Sequence, residues 1–112
     1  MHINCVGADA PGQQELEAEI LQRARIVIDD WEQASHSGEI NVPASQGLIG
    51  RDDVVAEIGD IVAGKVEGRT DDSQITVFDT TGLAIQDVVC AWKAYEGARE
   101  KGIGTEMDGL YV

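Results

Sequence analysis

Two places in this 112-residue chain combine a reactive side chain with a backbone able to present it. In Cys5-Val6-Gly7-Ala8-Asp9-Ala10-Pro11-Gly12 an acidic residue follows a short apolar run and precedes a turn forced by Pro11-Gly12. His2 to Val6 reads as a short buried strand that Gly7 ends, and a helical pattern starts near Gln14. Asp9 is therefore expected where a strand hands over to a helix. Open α/β sheets bind ligands at that edge, because crossover helices cover the faces and leave the carboxyl ends of the strands free. A carboxylate there can exchange a proton with a bound substrate; it can equally cap the helix or brace the turn. Thr80-Thr81-Gly82 repeats the arrangement after the run Ile75–Asp79. Hydroxyl and N–H groups at the start of a helix can receive an amide, carboxylate or hydroxyl, or simply cap the helix.

The elements that must position these residues follow from periodicity. Gln14 to Ala24 reads as a helix with Leu16, Ile20 and Ala24 on one stripe. Arg25 to Asp30 reads as a second strand, its continuous β-branched run suggesting burial on both faces. A short helix from Trp31 to about Ser37 stops at Gly38, and Glu39 to Leu48, with Pro43 and Gly47, reads mostly as loop. Arg51 to Ala63 reads as the middle helix, since Val54, Ile58, Ile61 and Val62 fall at i, i+4, i+7 and i+8. Ile75 to Asp79 is the third strand. A long helix from about Leu83 to Lys101 is expected to turn Ile85, Val88, Val89 and Trp92 inward, with Gly102 ending it. The tail from Ile103 is expected to be loosely held.

Strands alternating with helices give an α/β fold with a parallel sheet of about three strands. That is half of a Rossmann-like, doubly wound domain, ending in a long helix. Residues 1–82 form the partial nucleotide-binding domain in this reading, and residues 83–112 a helix and tail that pack toward a further domain. No G-x-G-x-x-G follows any strand, so the pyrophosphate-binding turn of such a fold is not in this sequence.

Composition narrows the partners. Acidic residues number 21 against 8 basic ones, a formal net charge of −13 spread along the chain. Such a chain repels nucleic acids and anionic membranes, and the pattern suits a salt-adapted, halophilic surface. No apolar run is long enough to cross a membrane, and the start, Met1-His2-Ile3-Asn4, lacks the basic region of a signal peptide. Cys5 and Cys90 lie in apolar contexts and read as buried free thiols of a reducing cytoplasm. Neither the cysteines nor His2 and His36 stand at metal-ligand spacing, so no metal site is expected.

The stretch Ile3–Gly12 followed by Glu15-Leu16 resembles a segment of the ornithine cyclodeaminase/μ-crystallin family, which includes archaeal alanine dehydrogenases and ketimine reductases. Three further stretches match in series: Asp29-Asp30 with Glu32-Gln33-Ala34, Gly38-Glu39-Ile40-Asn41-Val42-Pro43, and Ile75 through Asp87. The resemblance covers nearly the whole chain and corresponds to roughly the last third of a family member. It implies an NAD- or NADP-binding Rossmann domain, a small amino-acid substrate, and a homo-oligomer or a separate N-terminal portion as partner. It gives Asp9 the role of catalytic proton donor and acceptor. Val6, Gly7 and Ala8 match backbone positions lining the nicotinamide side of the cofactor site, and Thr80 a residue contacting the cofactor. Thr81 matches a residue contacting substrate. Gln13 stands at a cofactor-contacting position where many members carry lysine. The resemblance thus implies the partial chain of an NAD(P)-dependent lyase or oxidoreductase of amino-acid metabolism, of the ornithine cyclodeaminase or alanine dehydrogenase type, inactive as this fragment alone. A μ-crystallin-like protein that only binds cofactor and a small ligand is the alternative.

Overall fold

A computed structural model describes residues 1–107. Residues 1–81 form one compact unit and those from Gly82 onward a second. In the first unit four strands make one parallel sheet: β1 (His2–Cys5), β2 (Arg25–Ile28), β3 (Val54–Glu57) and β4 (Thr76–Asp79). Their order across the sheet is β1-β4-β2-β3, so the last strand in the chain lies between the first two. The run Ile26-Val27-Ile28 is buried on both faces, as its composition predicts, and Val77 beside it in β4 is fully buried. Leu21, Ala34, Ile40 and Ile49 join these strands in one core, with Trp31 packed against its margin.

Three sequence expectations fail here, each for a physical reason. The predicted helix over 51–63 is a strand preceded by a single 3-10 turn (Arg51–Asp53) and followed by a short helix, α4 (Ile58–Val62). Val54 and Ala56 are buried while Val55 and Glu57 are half-buried, a two-residue period that pairing with β2 rewards over the helical spacing of the apolar residues. The sheet therefore has four strands where three were expected. The first helix, α1, spans only Ala18–Arg23. Glu39 accepts the N–H groups of Glu15 and Leu16 at 2.6–3.1 Å, which holds residues 14–17 out of the helix. After α2 (Trp31–Ser37), the predicted loop over 39–48 contains a further helix, α3 (Asn41–Ser45); Pro43 fits there because it lies in the first turn, where its missing N–H is not needed.

The described residues of the second unit hold one helix, α5 (Ala84–Lys101), closed by Gly102 in the left-handed conformation at φ 63°. Gly102 donates to Arg99 O and Ile103 to Ala98 O, satisfying the last carbonyls of the helix. Ile85, Val88, Val89 and Trp92, expected to face inward, are exposed, and so is Cys90, expected to be buried. Cys5 is buried as predicted. The expectation of a loosely held tail extends to residues 108–112, outside the described residues; Ile103 and Met107 are exposed.

Candidate functional site

All four strands point the same way, so their carboxyl ends share one edge. The chain leaves β1 at Cys5 and passes through Val6, Gly7, Ala8 and Asp9. It leaves β4 at Asp79 and passes directly to Thr80 and Thr81. The two exits touch: Thr80 N–H donates to Cys5 O at 3.1 Å. Sequence reasoning thus placed the ends of β1 and β4 on one edge correctly, and the sheet makes them neighbours.

Asp9 is exposed, and no hydrogen bond to its carboxylate exists among the described residues. It does not cap α1, which starts at Ala18 with Glu17 before it. Its backbone N–H donates to Gln13 Oε1 at 3.0 Å, so the Gln13 side chain closes the Asp9 turn. Val6 and Gly7 are exposed and Ala8 is buried. Gly7 N–H donates to Glu15 Oε2 at 3.1 Å, and the Glu15 carboxyl group fills the space a Gly7 side chain would need.

Thr80 and Thr81 do not cap α5, whose first residue is Ala84 and whose N-cap position is Leu83. They are bound instead by Asp29, at the end of β2. Asp29 Oδ2 accepts Thr81 N–H at 2.6 Å and the Thr80 hydroxyl at 3.3 Å; Oδ1 accepts the Thr81 hydroxyl at 2.9 Å and Asp30 N–H at 2.9 Å. Both threonines are half-buried, so their outer faces remain reachable. Asp30 caps α2 by accepting Gln33 N–H at 2.9 Å, and Gln33 Nε2 donates to Thr81 O at 3.0 Å.

Behind this edge lies a group of buried carboxyls that sequence reasoning missed. Asp79, 1% exposed, accepts Ile40 N–H at 3.2 Å through Oδ2. Glu39, also fully buried, accepts from Glu15 and Leu16. Burial holds both carboxyls above their ordinary values; the charges of Asp79 and Glu15 add to the effect on Glu39 and that of Asp29 to the effect on Asp79, while backbone N–H donors pull the opposite way. The Cys5 thiol is pushed up to about 12, by burial first and then by the negative charges of Glu39, Asp79 and Glu15, so it stays protonated. No buried side-chain polar atom among the described residues lacks a partner. Gly38 sits at the centre: an added Cβ would lie 2.6 Å from Asp79 Oδ2 and 2.9 Å from both Ala34 Cα and the Thr81 methyl. The stretch Gly38–Pro43, part of the family resemblance, was the one sequence signal for this joint, but only the fold shows what it holds.

The ornithine cyclodeaminase/mu-crystallin family model matches residues 1–102. The chain belongs to this family. Alanine dehydrogenase of Archaeoglobus fulgidus is 57% identical over 106 residues, covering 95% of this chain and 33% of that enzyme. Among solved structures, an archaeal alanine dehydrogenase dimer with bound NAD superposes with a TM-score of 0.87 at 54% identity, over 99% of this chain and 34% of that one. The Thermococcus litoralis Δ1-pyrroline-2-carboxylate reductase, in complex with NADH and L-proline, gives 0.85 at 37% identity, over 96% and 33%. The chain thus spans about a third of the length of the family members it matches, and NAD is a cofactor of the family's enzymes.

The residues present fit the nicotinamide end of such a cofactor. The backbone of the β1 exit is exposed at Val6 and Gly7, with only the end of the flexible, exposed Glu15 side chain lying over Gly7, and Thr80, whose N–H is bonded to Cys5 O, carries a half-buried hydroxyl. No helix among the described residues is long and apolar enough to cross a membrane.

Proposed function

We propose that this chain supplies part of the nicotinamide site and the proton-exchanging carboxylate of an NAD-dependent enzyme that interconverts a small α-amino acid and its imino or keto form. Support for an oxidoreductase of alanine-dehydrogenase type, ahead of cyclodeamination, comes from the level of identity to the archaeal enzyme. The observation that carries the reading is Asp9: an exposed carboxylate, unbonded within the described residues, at the carboxyl end of a parallel sheet. The backbone of Val6–Ala8 and the hydroxyl of Thr80 would hold the nicotinamide end, and Thr81 would meet substrate. Gln13 serves this site by closing the Asp9 turn. When bound, the nicotinamide supplies hydride acceptance and return. Asp9 takes a proton from the substrate nitrogen, or from the water that adds to the imine, and gives one back in the reverse direction. Asp29 fixes Thr80 and Thr81 so that their outer faces stay in place. The chain by itself is expected to be inactive and to bind NAD weakly, because no pyrophosphate-binding turn occurs in its sequence.

The test is a hybrid in which this chain replaces the matched third of the A. fulgidus alanine dehydrogenase. NAD-dependent oxidation of alanine should be retained, and Asp9→Asn should lower turnover by roughly 10²–10⁴-fold. Asparagine keeps the size and much of the hydrogen bonding of aspartate but cannot exchange the proton. Turnover of the Asn variant within a few-fold of the parent hybrid would leave Asp9 without a chemical role. The same hybrid assayed with ornithine, following ammonia release and ring formation, separates the cyclodeaminase reading.

A further inference from the structure

The loop carrying Asp9 has no regular structure from Val6 to Glu17. Its internal ties are few: Gly7 N–H to Glu15 Oε2, Asp9 N–H to Gln13 Oε1, Gln13 N–H to Ala10 O at 3.2 Å, and the Gln14 amide to Leu16 O. Its anchors come from two side chains, Asn41 and Glu39, at the joint between α2 and α3. Asn41, 5% exposed, accepts Gly12 N–H at 2.8 Å through Oδ1. Its Nδ2 donates to Gln13 O at 2.8 Å and to Gly38 O at 2.5 Å. Glu39 then takes the N–H groups of Glu15 and Leu16.

The chemistry of these bonds selects an amide. Residue 12 offers a donor and residue 13 an acceptor, so the side chain between them must accept on one atom and donate twice on another. A carboxylate cannot donate, and a hydroxyl has one proton for two carbonyls. Gly12 stands at φ 86°, a conformation that turns its N–H toward Asn41 and that a side chain would strain. Asn41 is in turn set by β4, because Asp79 accepts the N–H of the adjacent Ile40. The far side of the Asp9 turn is thus tied, through Asn41, to the strand that leads to Thr80 and Thr81.

We propose that Asn41 is a positioning residue for Asp9: it holds Gly12 and Gln13, and through Gln13 the Asp9 backbone, in the geometry in which the carboxylate meets substrate. The proposal rests on the reading of Asp9 as the proton-exchanging group. It predicts that Asn41 matters to rate only through Asp9.

Two measurements test it. In the 112-residue chain, Asn41→Ala should speed amide exchange at Gly12 by about tenfold or more while Val77, in the sheet, is unchanged, the mark of local rather than global opening. Equal acceleration at both amides, or none at Gly12, overturns the proposal. In the hybrid enzyme, Asn41→Ala should lower kcat by roughly 10–10²-fold with KM for NAD unchanged, as expected when a reacting group is misplaced by about an ångström. In an Asp9→Asn background the same change should add less than about twofold. Independent, multiplying losses overturn the proposal and leave the Asp9 reading standing. A silent Asp9→Asn overturns that reading and this proposal with it. Asn41→Ser, which keeps one polar atom, provides the same comparisons should the alanine variant fail to fold.

Discussion

Replacing Gly38 by alanine forces a methyl group into the joint between α2, β4 and Thr81. The new carbon would lie 2.6 Å from Asp79 Oδ2 and 2.9 Å from both Ala34 Cα and Thr81 Cγ2. The Ala34 contact is with backbone, fixed by the Gly38 N–H bond to Ala34 O at 2.9 Å, and it cannot rotate away. Overpacking of this kind costs about 1–3 kcal/mol. If Asp79 yields, the buried Ile40 N–H loses its acceptor, which adds about 1–3 kcal/mol. The expected loss is therefore about 2–6 kcal/mol, a large share of the stability of an ordinary domain. Backbone strain adds nothing, because φ −78° and ψ −173° suit alanine as well as glycine. Gly7→Ala is the control. Its methyl group meets only the end of the flexible, exposed Glu15 side chain, which can swing into water, so the expected change is below about 1 kcal/mol. Urea unfolding followed by far-UV circular dichroism, and by Trp31 fluorescence in a Trp92→Phe background, measures both. A Gly38→Ala variant within about 1 kcal/mol of its parent, or a Gly7→Ala variant that is the less stable of the two, refutes the reasoning.

Two further outcomes are expected. Glu39 and Asp79, with ordinary values of 4.5 and 3.8, bind their protons more tightly in the folded state, so the folded chain holds more protons across the window above those values. Stability should therefore fall as pH rises through that window and be gained on acidification toward it; Glu39→Gln should flatten the slope of Tm against pH, and an unchanged slope contradicts the assignment. Thiol titration at pH 8 should show one fast equivalent, from exposed Cys90, and a second only in denaturant, from buried Cys5 with its thiol pushed up to about 12. Two fast equivalents would contradict the burial of Cys5.

What was legible in the sequence was whatever local pattern decides. The unbroken run Ile26-Val27-Ile28 announces a central parallel strand because both faces are buried. Pro11-Gly12 announces the turn that exposes Asp9. The stretch 54–57 was not legible, because Val54, Ile58, Ile61 and Val62 satisfy a helical period while the true partner of Val54 is Ile26, far away in the chain. The same limit hid the supports of the site. Asp29, Glu39, Asn41 and Asp79 look like ordinary polar residues in the sequence, and their importance comes from what the fold brings to them: two threonines for Asp29, three backbone groups for Asn41. Thr80 and Thr81 were placed on the right edge but read as possible caps of a helix that begins only at Ala84.

The strand order has a consequence for how the chain is made. Among the described strands β4 is the last to be synthesised and lies between β1 and β2, so the ladder bonds between β1 and β4 wait for residues 74 positions later. Of the pairings among these four strands, that of β2 with β3 alone can form before Thr76 emerges. β1 and β2 meanwhile each carry an unsatisfied row of N–H and C=O groups facing a gap one strand wide, and distant pairings of this kind close slowly. A chain that stops short of Asp79 is therefore not a smaller version of the same sheet. It is a pair of open edges ready to accept a strand from another copy, and its fate is decided by how crowded its neighbours are.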